Sequence, residues 1–190
     1  MNAEFIKSAA ARGDFPNDTG AEVAVVGRSN SGKSSAINAM FGSAKLARVS
    51  KTPGRTQLIN FFALGEQRRC VDLPGYGFAR VSPSVRDRWQ ALMTAYFESR
   101  ASLRGLLLTV DIRRGIGELD ERMLTWCTQL SVPVHILATK ADKLSRNKAI
   151  QARFAMVADA GEHAVAVSLF SALKLTGVRE AREQLQAWLQ

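Results

Sequence analysis

The residues Gly27-Arg28-Ser29-Asn30-Ser31-Gly32-Lys33-Ser34 fit the spacing G-x-x-x-x-G-K-[ST]. That spacing serves anion binding. The two glycines let the backbone bend so that successive N–H groups turn inward on a phosphate, and a following helix adds the partial positive charge of its N-terminus. Lys33 would supply a full charge to β- and γ-phosphates, and the Ser34 hydroxyl a ligand for Mg²⁺. A second group follows at Asp72-Leu73-Pro74-Gly75. A carboxylate there can hold Mg²⁺ through water, and the Gly75 N–H can meet a γ-phosphate. Thr139-Lys140-Ala141-Asp142 forms a third group. Asp142 can accept two hydrogen bonds from guanine N1–H and N2–H₂, a donor pair adenine lacks, and the Lys140 stem can lie along the base. Phe170-Ser171-Ala172 could bring main-chain N–H groups to guanine O6.

These groups need elements to hold them. Glu22–Val26 reads as a buried strand and Ser35–Phe41 as a short helix stopped by Gly42. Residues 57–64 and 69–72 read as a hairpin, so one strand runs antiparallel. Ser82 and Pro83 open a helix with Val85, Trp89, Leu92, Met93, Tyr96 and Phe97 on one face. Residues 106–110, 132–138 and 164–167 read as further strands, the first two continuous and apolar as buried parallel strands are. Helices are expected between them, one marked by Leu119, Met123, Trp126, Cys127 and Leu130, the next by Ile150, Phe154 and Val157. Thr176 would cap a last helix carrying Val178, Ala181, Leu185, Trp188 and Leu189. Six strands alternating with helices predict an α/β fold with a doubly wound, mostly parallel sheet, whose ligands bind at the carboxyl ends of strands. All four groups fall at such ends. Residues 1–21 read as a lead-in segment with a helical turn near Ala9–Arg12, and residues 22–190 as one nucleotide-binding domain. The basic stretch 43–56 has no period and reads as a loop.

The chain has 190 residues, 46% hydrophobic and 23% charged, which suits one core of ordinary composition. No apolar run is long enough to cross a bilayer, and the start is too acidic and broken for a secretory signal. Cys70 and Cys127 lack metal spacing and read as reduced core residues, which suits the cytoplasm. Lys and Arg outnumber Asp and Glu by 26 to 17. That excess points to a polyanionic partner, RNA rather than membrane. No heptad or exposed apolar stripe asks for a dimer, so a monomer is expected.

With these motifs in order, the chain resembles the TRAFAC class of translation-factor-like GTPases and, within it, the EngB family (also called YihA or YsxC) of ribosome-assembly GTPases. The residues that carry the resemblance are GRSNSGKSS at 27–35, KTPGRTQLINFF at 51–62, DLPGYGFA at 72–79, TKAD at 139–142 and FSA at 170–172. It implies a Ras-like P-loop fold of three layers. It implies that Gly54, Arg55, Thr56, Gln57 and Leu58 form the first switch. The residues alone leave Thr52 and Thr56 open as the second Mg²⁺ hydroxyl; the resemblance picks Thr56, so that Lys33, Thr56 and Gly75 carry catalysis. It further implies action in assembly of the large ribosomal (50S) subunit and a need for the protein in normal division and septation. Two departures bear on this. Thr139 stands where many GTPases have Asn. Tyr76 stands where Ras-type switches have the water-orienting Gln, so slow intrinsic hydrolysis is expected. Asn30 stands where related GTPases hold K⁺ near the phosphates, and K⁺ is expected to speed hydrolysis. Two other readings compete: an RNA-binding module that nucleotide only stabilises, and an ATP-using P-loop kinase. Asp142 speaks against the kinase.

Overall fold

The computed structural model describes residues 2–43, 46–47, 58–77 and 82–190. Of the first switch only Leu58 is among them; Gly54, Arg55, Thr56 and Gln57 lie outside the described residues, as do Lys45, Arg48, Lys51 and Arg80 of the basic loops.

The strands are β1 (Glu4–Ala9), β2 (Ala21–Gly27), β3 (Ile59–Ala63), β4 (Arg68–Asp72), β5 (Leu103–Asp111), β6 (Val134–Thr139) and β7 (Ala166–Leu169). The helices are α1 (Lys33–Phe41), α2 (Pro83–Ser99), α3 (Glu118–Gln129), α4 (Arg146–Ala160) and α5 (Val178–Trp188). One sheet runs β1-β3-β4-β2-β5-β6-β7. β3 pairs antiparallel with both β1 and β4, while β2, β4, β5, β6 and β7 pair in parallel. One strand therefore opposes the rest, as the hairpin predicts. The sheet has seven strands and not six, because Glu4–Ala9, expected to be part of a lead-in with a helical turn, is an edge strand on β3. A short 3₁₀ turn at Arg12–Asp14 follows it.

Alternation along the central strands makes two cores. Val23 and Val25 of β2, Leu107 of β5 and Leu137 of β6 face α1 and α5, against Ile37, Met40, Ala181 and Leu185. Ala24, Val26, Leu106, Leu108 and Ile136 face α2, α3 and α4, against Met93, Tyr96, Cys127 and Met156. This is the expected three-layer arrangement. Both cysteines are buried and free, and burial pushes the Cys127 thiol up to about 12. The last helix is capped by Gly177 and not by Thr176. A Cβ at Gly177, whose φ is 71°, would stand 2.0 Å from the Leu169 carbonyl oxygen, so only glycine fits the turn.

Helix α4 departs from expectation. It buries Ala149, Met156 and Ala160. Ile150, Phe154 and Val157, the residues that mark it in the sequence, are 38%, 62% and 42% exposed. They form a short apolar stripe on the surface, where none was expected. Small alanines let the helix approach β7, and Arg153 reaches past them to donate from Nε to the Val167 carbonyl at 2.7 Å.

At the sheet end far from the glycine-rich loop, Glu22 is fully buried. Arg69 Nε donates to its Oε1 at 2.7 Å, Arg100 Nε to Oε2 at 3.1 Å and the Tyr96 hydroxyl to Oε2 at 3.2 Å. The same arginines hold the chain before β2: Arg100 Nη1 donates to Pro16 O at 2.7 Å and Arg69 Nη2 to Asn17 O at 3.2 Å. Two cations on one carboxylate make a buried network with each partner satisfied.

Candidate functional site

The glycine-rich loop leaves β2 at Gly27 and enters α1 at Lys33, with Gly32 as N-cap at φ 95°. Gly27 is a position of close approach: a Cβ there would lie 2.1 Å from Thr109 Oγ1 and 2.5 Å from Thr109 O. The loop is braced from inside. Ser31 N–H donates to Arg28 O at 2.9 Å, and the Ser31 and Thr109 hydroxyls meet at 2.7 Å. Thr109 also donates to Val26 O at 3.1 Å. Lys33 and Ser34 begin α1, where the first turn of N–H groups has no helical acceptor.

Asp72 ends β4 and is ion-paired with Lys33. Asn60 Nδ2 donates to its second oxygen at 3.3 Å. The Lys33 ammonium and the Asp72 carboxylate thus meet at the start of α1, where Ser34 follows Lys33. The hydroxyl oxygen of a serine and the carboxylate oxygens of an aspartate, the groups Ser34 and Asp72 bring, are the hard donors that Mg²⁺ takes. Among the described residues no three His, Cys, Asp or Glu side chains gather to hold a metal. Beyond Asp72, Leu73 is buried and donates its N–H to Val25 O at 3.0 Å. Gly75 lies against the loop, where a Cβ would be 3.1 Å from Gly27 O. Tyr76 does not reach toward solvent. Its hydroxyl donates to Asp120 Oδ1 at 2.5 Å, and burial first, then the Asp120 carboxylate, push the phenol far above its ordinary pKa.

The third group closes on the first, and the fourth on the third. The Thr139 hydroxyl lies within hydrogen-bond distance of Ser31 O and, at 3.0 Å, of Val110 O. In place of an amide, this hydroxyl ties the end of β6 to the glycine-rich loop. Lys140, in a left-handed conformation at φ 59°, extends across the site, and its Nζ donates to Asn30 O at 2.6 Å and to Asp111 Oδ2 at 2.9 Å. Its stem therefore runs between β6 and the glycine-rich loop, with the ammonium fixed at the far end. Asp142 Oδ1 accepts the Ser171 hydroxyl at 2.6 Å. That bond is the largest of the influences holding the Asp142 carboxyl below the ordinary carboxylate range, with burial opposing it.

The run 170–172 is narrower in capacity than the sequence suggests. Phe170 N–H donates to Ala138 O at 2.9 Å and Ser171 N–H to Thr176 O at 3.0 Å, so both are spent within the fold. Of the three, Ala172 is the donor left for a base oxygen. Ala141 N–H closes the loop on Phe170 O at 3.1 Å. Leu58 stands half-buried immediately ahead of β3.

Sequence reasoning misses three supporting residues. Thr109 sits mid-pattern in an apolar strand. Asp111 ends β5 as Asp72 ends β4, and that placement is the signal that could have found it. Burial opposes its ionisation, but hydrogen bonds from Arg113 and Lys140 outweigh this and hold its carboxyl well below the ordinary range. Asp120, 4% exposed at the third position of α3, accepts the Gly117 N–H at 3.0 Å as well as the Tyr76 hydroxyl.

Residues 22–140 match a family described as 50S ribosome-binding GTPase. Curated relatives described as probable GTP-binding protein EngB match along the whole chain. That of Methylococcus capsulatus is 47% identical over 192 residues, covering 100% of this chain and 91% of that protein. That of Nitrosomonas europaea is 48% identical over 189 residues, covering 98% and 85%. A crystal structure of a probable GTP-binding protein engB is similar with a TM-score of 0.72 at 21% identity, over 89% of this chain and 98% of that one. Era, solved with MgGDPNP and nucleotides 1506–1542 of 16S ribosomal RNA, gives a TM-score of 0.71 at 21% identity, over 90% and 57%. At those identities the solved structures speak for the Ras-like fold.

Proposed function

The chain belongs to the 50S ribosome-binding GTPases and, among them, to the EngB GTP-binding proteins; from that premise we propose that it is a slow GTP-driven switch acting in assembly of the large ribosomal subunit. One observation carries the site: the loop of residues 27–34 and the loop of residues 139–142 are cross-linked by Thr139 and Lys140, and Asp142 is oriented by Ser171. These contacts support a phosphate cradle and a guanine-reading carboxylate on adjoining loops.

Gly27–Ser34 and the N-terminus of α1 would grip the phosphate tail, with Lys33 leaving Asp72 to neutralise β- and γ-oxygens. Ser34 and Thr56, with Asp72 through water, would hold Mg²⁺, which when bound neutralises charge on those oxygens. Gly75 would offer its N–H to the γ-phosphate. Asp142 would accept the guanine N–H pair, the Lys140 stem would cover one base face, and Ala172 would meet O6. Loss of the γ-phosphate would act on the switch through residues 54–58 and 72–75, which would contact the phosphates and the metal. Slow turnover is supported by the commitment of the Tyr76 phenol to Asp120, which withholds it from any attacking water. K⁺ beside Asn30, left-handed at φ 65°, would raise that rate; equal turnover in matched K⁺ and Na⁺ buffers would dismiss it.

The partner is the large ribosomal subunit or its precursor, met through rRNA by the basic residues flanking the switches. Its supports are the family's description and a formal charge of +9. A role in division and septation would follow from failed subunit supply. Co-sedimentation with large subunits in nucleotide-free, GDP and GTP-analogue states tests the reading. Retention favoured by the analogue is expected. Equal retention in all three states would instead indicate a plain RNA-binding module.

A further inference from the structure

The residue after Gly75 is held from four directions. Ser29 N–H donates to the Tyr76 carbonyl at 2.7 Å, and Tyr76 N–H donates to Gly27 O at 3.3 Å, which ties its main chain to the phosphate loop. Its ring stands edge-on to Trp89 of α2 with centroids 6.4 Å apart. Trp89 Nε1–H in turn donates to the Pro74 carbonyl at 3.2 Å. Its hydroxyl donates to Asp120 Oδ1 of α3 at 2.5 Å. Gly75 therefore lies between two tethered residues, where a Cβ would stand 3.1 Å from Gly27 O.

Asp120 does more here than cap its helix. A cap uses one carboxylate oxygen, and Oδ2 fills that need by accepting the Gly117 N–H at 3.0 Å. The other oxygen is spent across 44 residues of chain on the phenol. A phenol-to-carboxylate bond in a buried setting is among the stronger kinds. Asp120 and the loop residues Arg28, Ser29, Asn30 and Ser31 also line one small cavity of about 60 Å³. The helix and the phosphate loop therefore share a wall.

We propose that Asp120 is a positioning residue for GTP: through the Tyr76 hydroxyl it holds Gly75 against the phosphate loop and sets the preference for GTP over GDP. The inference deepens the guanine-nucleotide reading above and rests on it. Only a γ-phosphate can use the Gly75 N–H, so a brace on Gly75 favours GTP and leaves GDP unaffected. Without the brace, residues 74–76 must be ordered at the moment of binding, and that cost falls on the triphosphate alone.

The test uses the full chain and calorimetric titration with Mg²⁺-GDP and a non-hydrolysable GTP analogue. Tyr76→Phe keeps the ring, its packing and the α3 cap, and removes only the hydroxyl. Asp120→Ala removes both bonds. Asp120→Asn keeps a side-chain amide that the phenol can still pair with, since a hydroxyl accepts as well as donates. Tyr76→Phe and Asp120→Ala are expected to bind the analogue about tenfold more weakly while GDP stays within about twofold, the size of one such bond. Asp120→Asn should recover most of the loss, and the Tyr76→Phe/Asp120→Ala pair should lose little more than either alone. Equal losses for both nucleotides would reduce Asp120 to a structural cap. An unchanged ratio in Tyr76→Phe would remove the brace, and tighter analogue binding would mean that the bond holds the switch off. A wild-type chain that takes up neither nucleotide would overturn the guanine-nucleotide reading in the first titration, before any variant is compared, and this inference with it.

Discussion

Replacing Asp142 by Asn probes base recognition with little disturbance of the fold. The amide oxygen of Asn can still accept the Ser171 hydroxyl, which now meets Asp142 Oδ1 at 2.6 Å. What changes is the outward edge. A carboxylate accepts from both guanine N1–H and N2–H₂; an amide turned to keep Ser171 presents its NH₂ to them instead. Two hydrogen bonds to a charged group are lost, each worth about 1.5–3 kcal/mol, and two donors are set facing each other. A net loss of about 3–5 kcal/mol follows, or roughly 10²–10⁴ in GDP affinity. Xanthine carries a carbonyl where guanine carries N2–H₂, so the variant NH₂ gains an acceptor and Asp142→Asn should bind XDP better than GDP. Displacement of a fluorescent guanine nucleotide by GDP and XDP measures both. A variant that still binds GDP within about threefold of wild type would show that Asp142 does not read the base.

Other perturbations follow from the same contacts. Asp142 has a carboxyl held below its ordinary 3.8 by the Ser171 hydroxyl. A depressed value keeps the ionised, guanine-accepting form through mild acid, so the ratio of GDP to ADP affinity, in which the shared phosphate titration cancels, should be flat from about pH 8 to pH 5 and fall only once the pH drops through that lowered value. Thr139→Ala removes the hydroxyl that ties β6 to Ser31, and should weaken GDP and GTP alike by about fivefold, a cost of about 1 kcal/mol, as read by calorimetry. Glu22→Gln leaves Arg69 and Arg100 facing an uncharged group in the core. It should cost about 3–5 kcal/mol and lower the melting temperature by about 10 °C, with guanine binding at 25 °C intact.

The phosphate and base groups were legible in the sequence because their signals are local. Gly27 through Ser34, Asp72 and Thr139–Asp142 are marked by glycine spacing and by strand ends, and the structure joins Lys33 to Asp72 and Thr139 and Lys140 to the loop of residues 27–34. Strand β1 was not legible. Of Glu4–Ala9 only Ala9 is buried, so the segment lacks the alternation of a half-buried strand, and its form comes from hydrogen bonding to β3. Helix α4 was found for the wrong reason. Bulk at Ile150, Phe154 and Val157 suggested a core face, yet the helix packs through Ala149, Met156 and Ala160, and the small size of the two alanines carries no weight in a pattern of apolar bulk. The pairing of Tyr76 with Asp120, like that of Glu22 with Arg69 and Arg100, joins residues more than 40 positions apart. Nothing in the identity of one such residue points to the other.

Every role proposed for the chain requires one guanine-selective phosphate site. Calorimetric titration with Mg²⁺-GDP beside Mg²⁺-ADP tests it most directly. Saturable binding of one GDP per chain, with ADP at least about a hundredfold weaker for want of the N1–H and N2–H₂ pair, is the predicted result. Equal affinity for the two, or no heat from either, would contradict it.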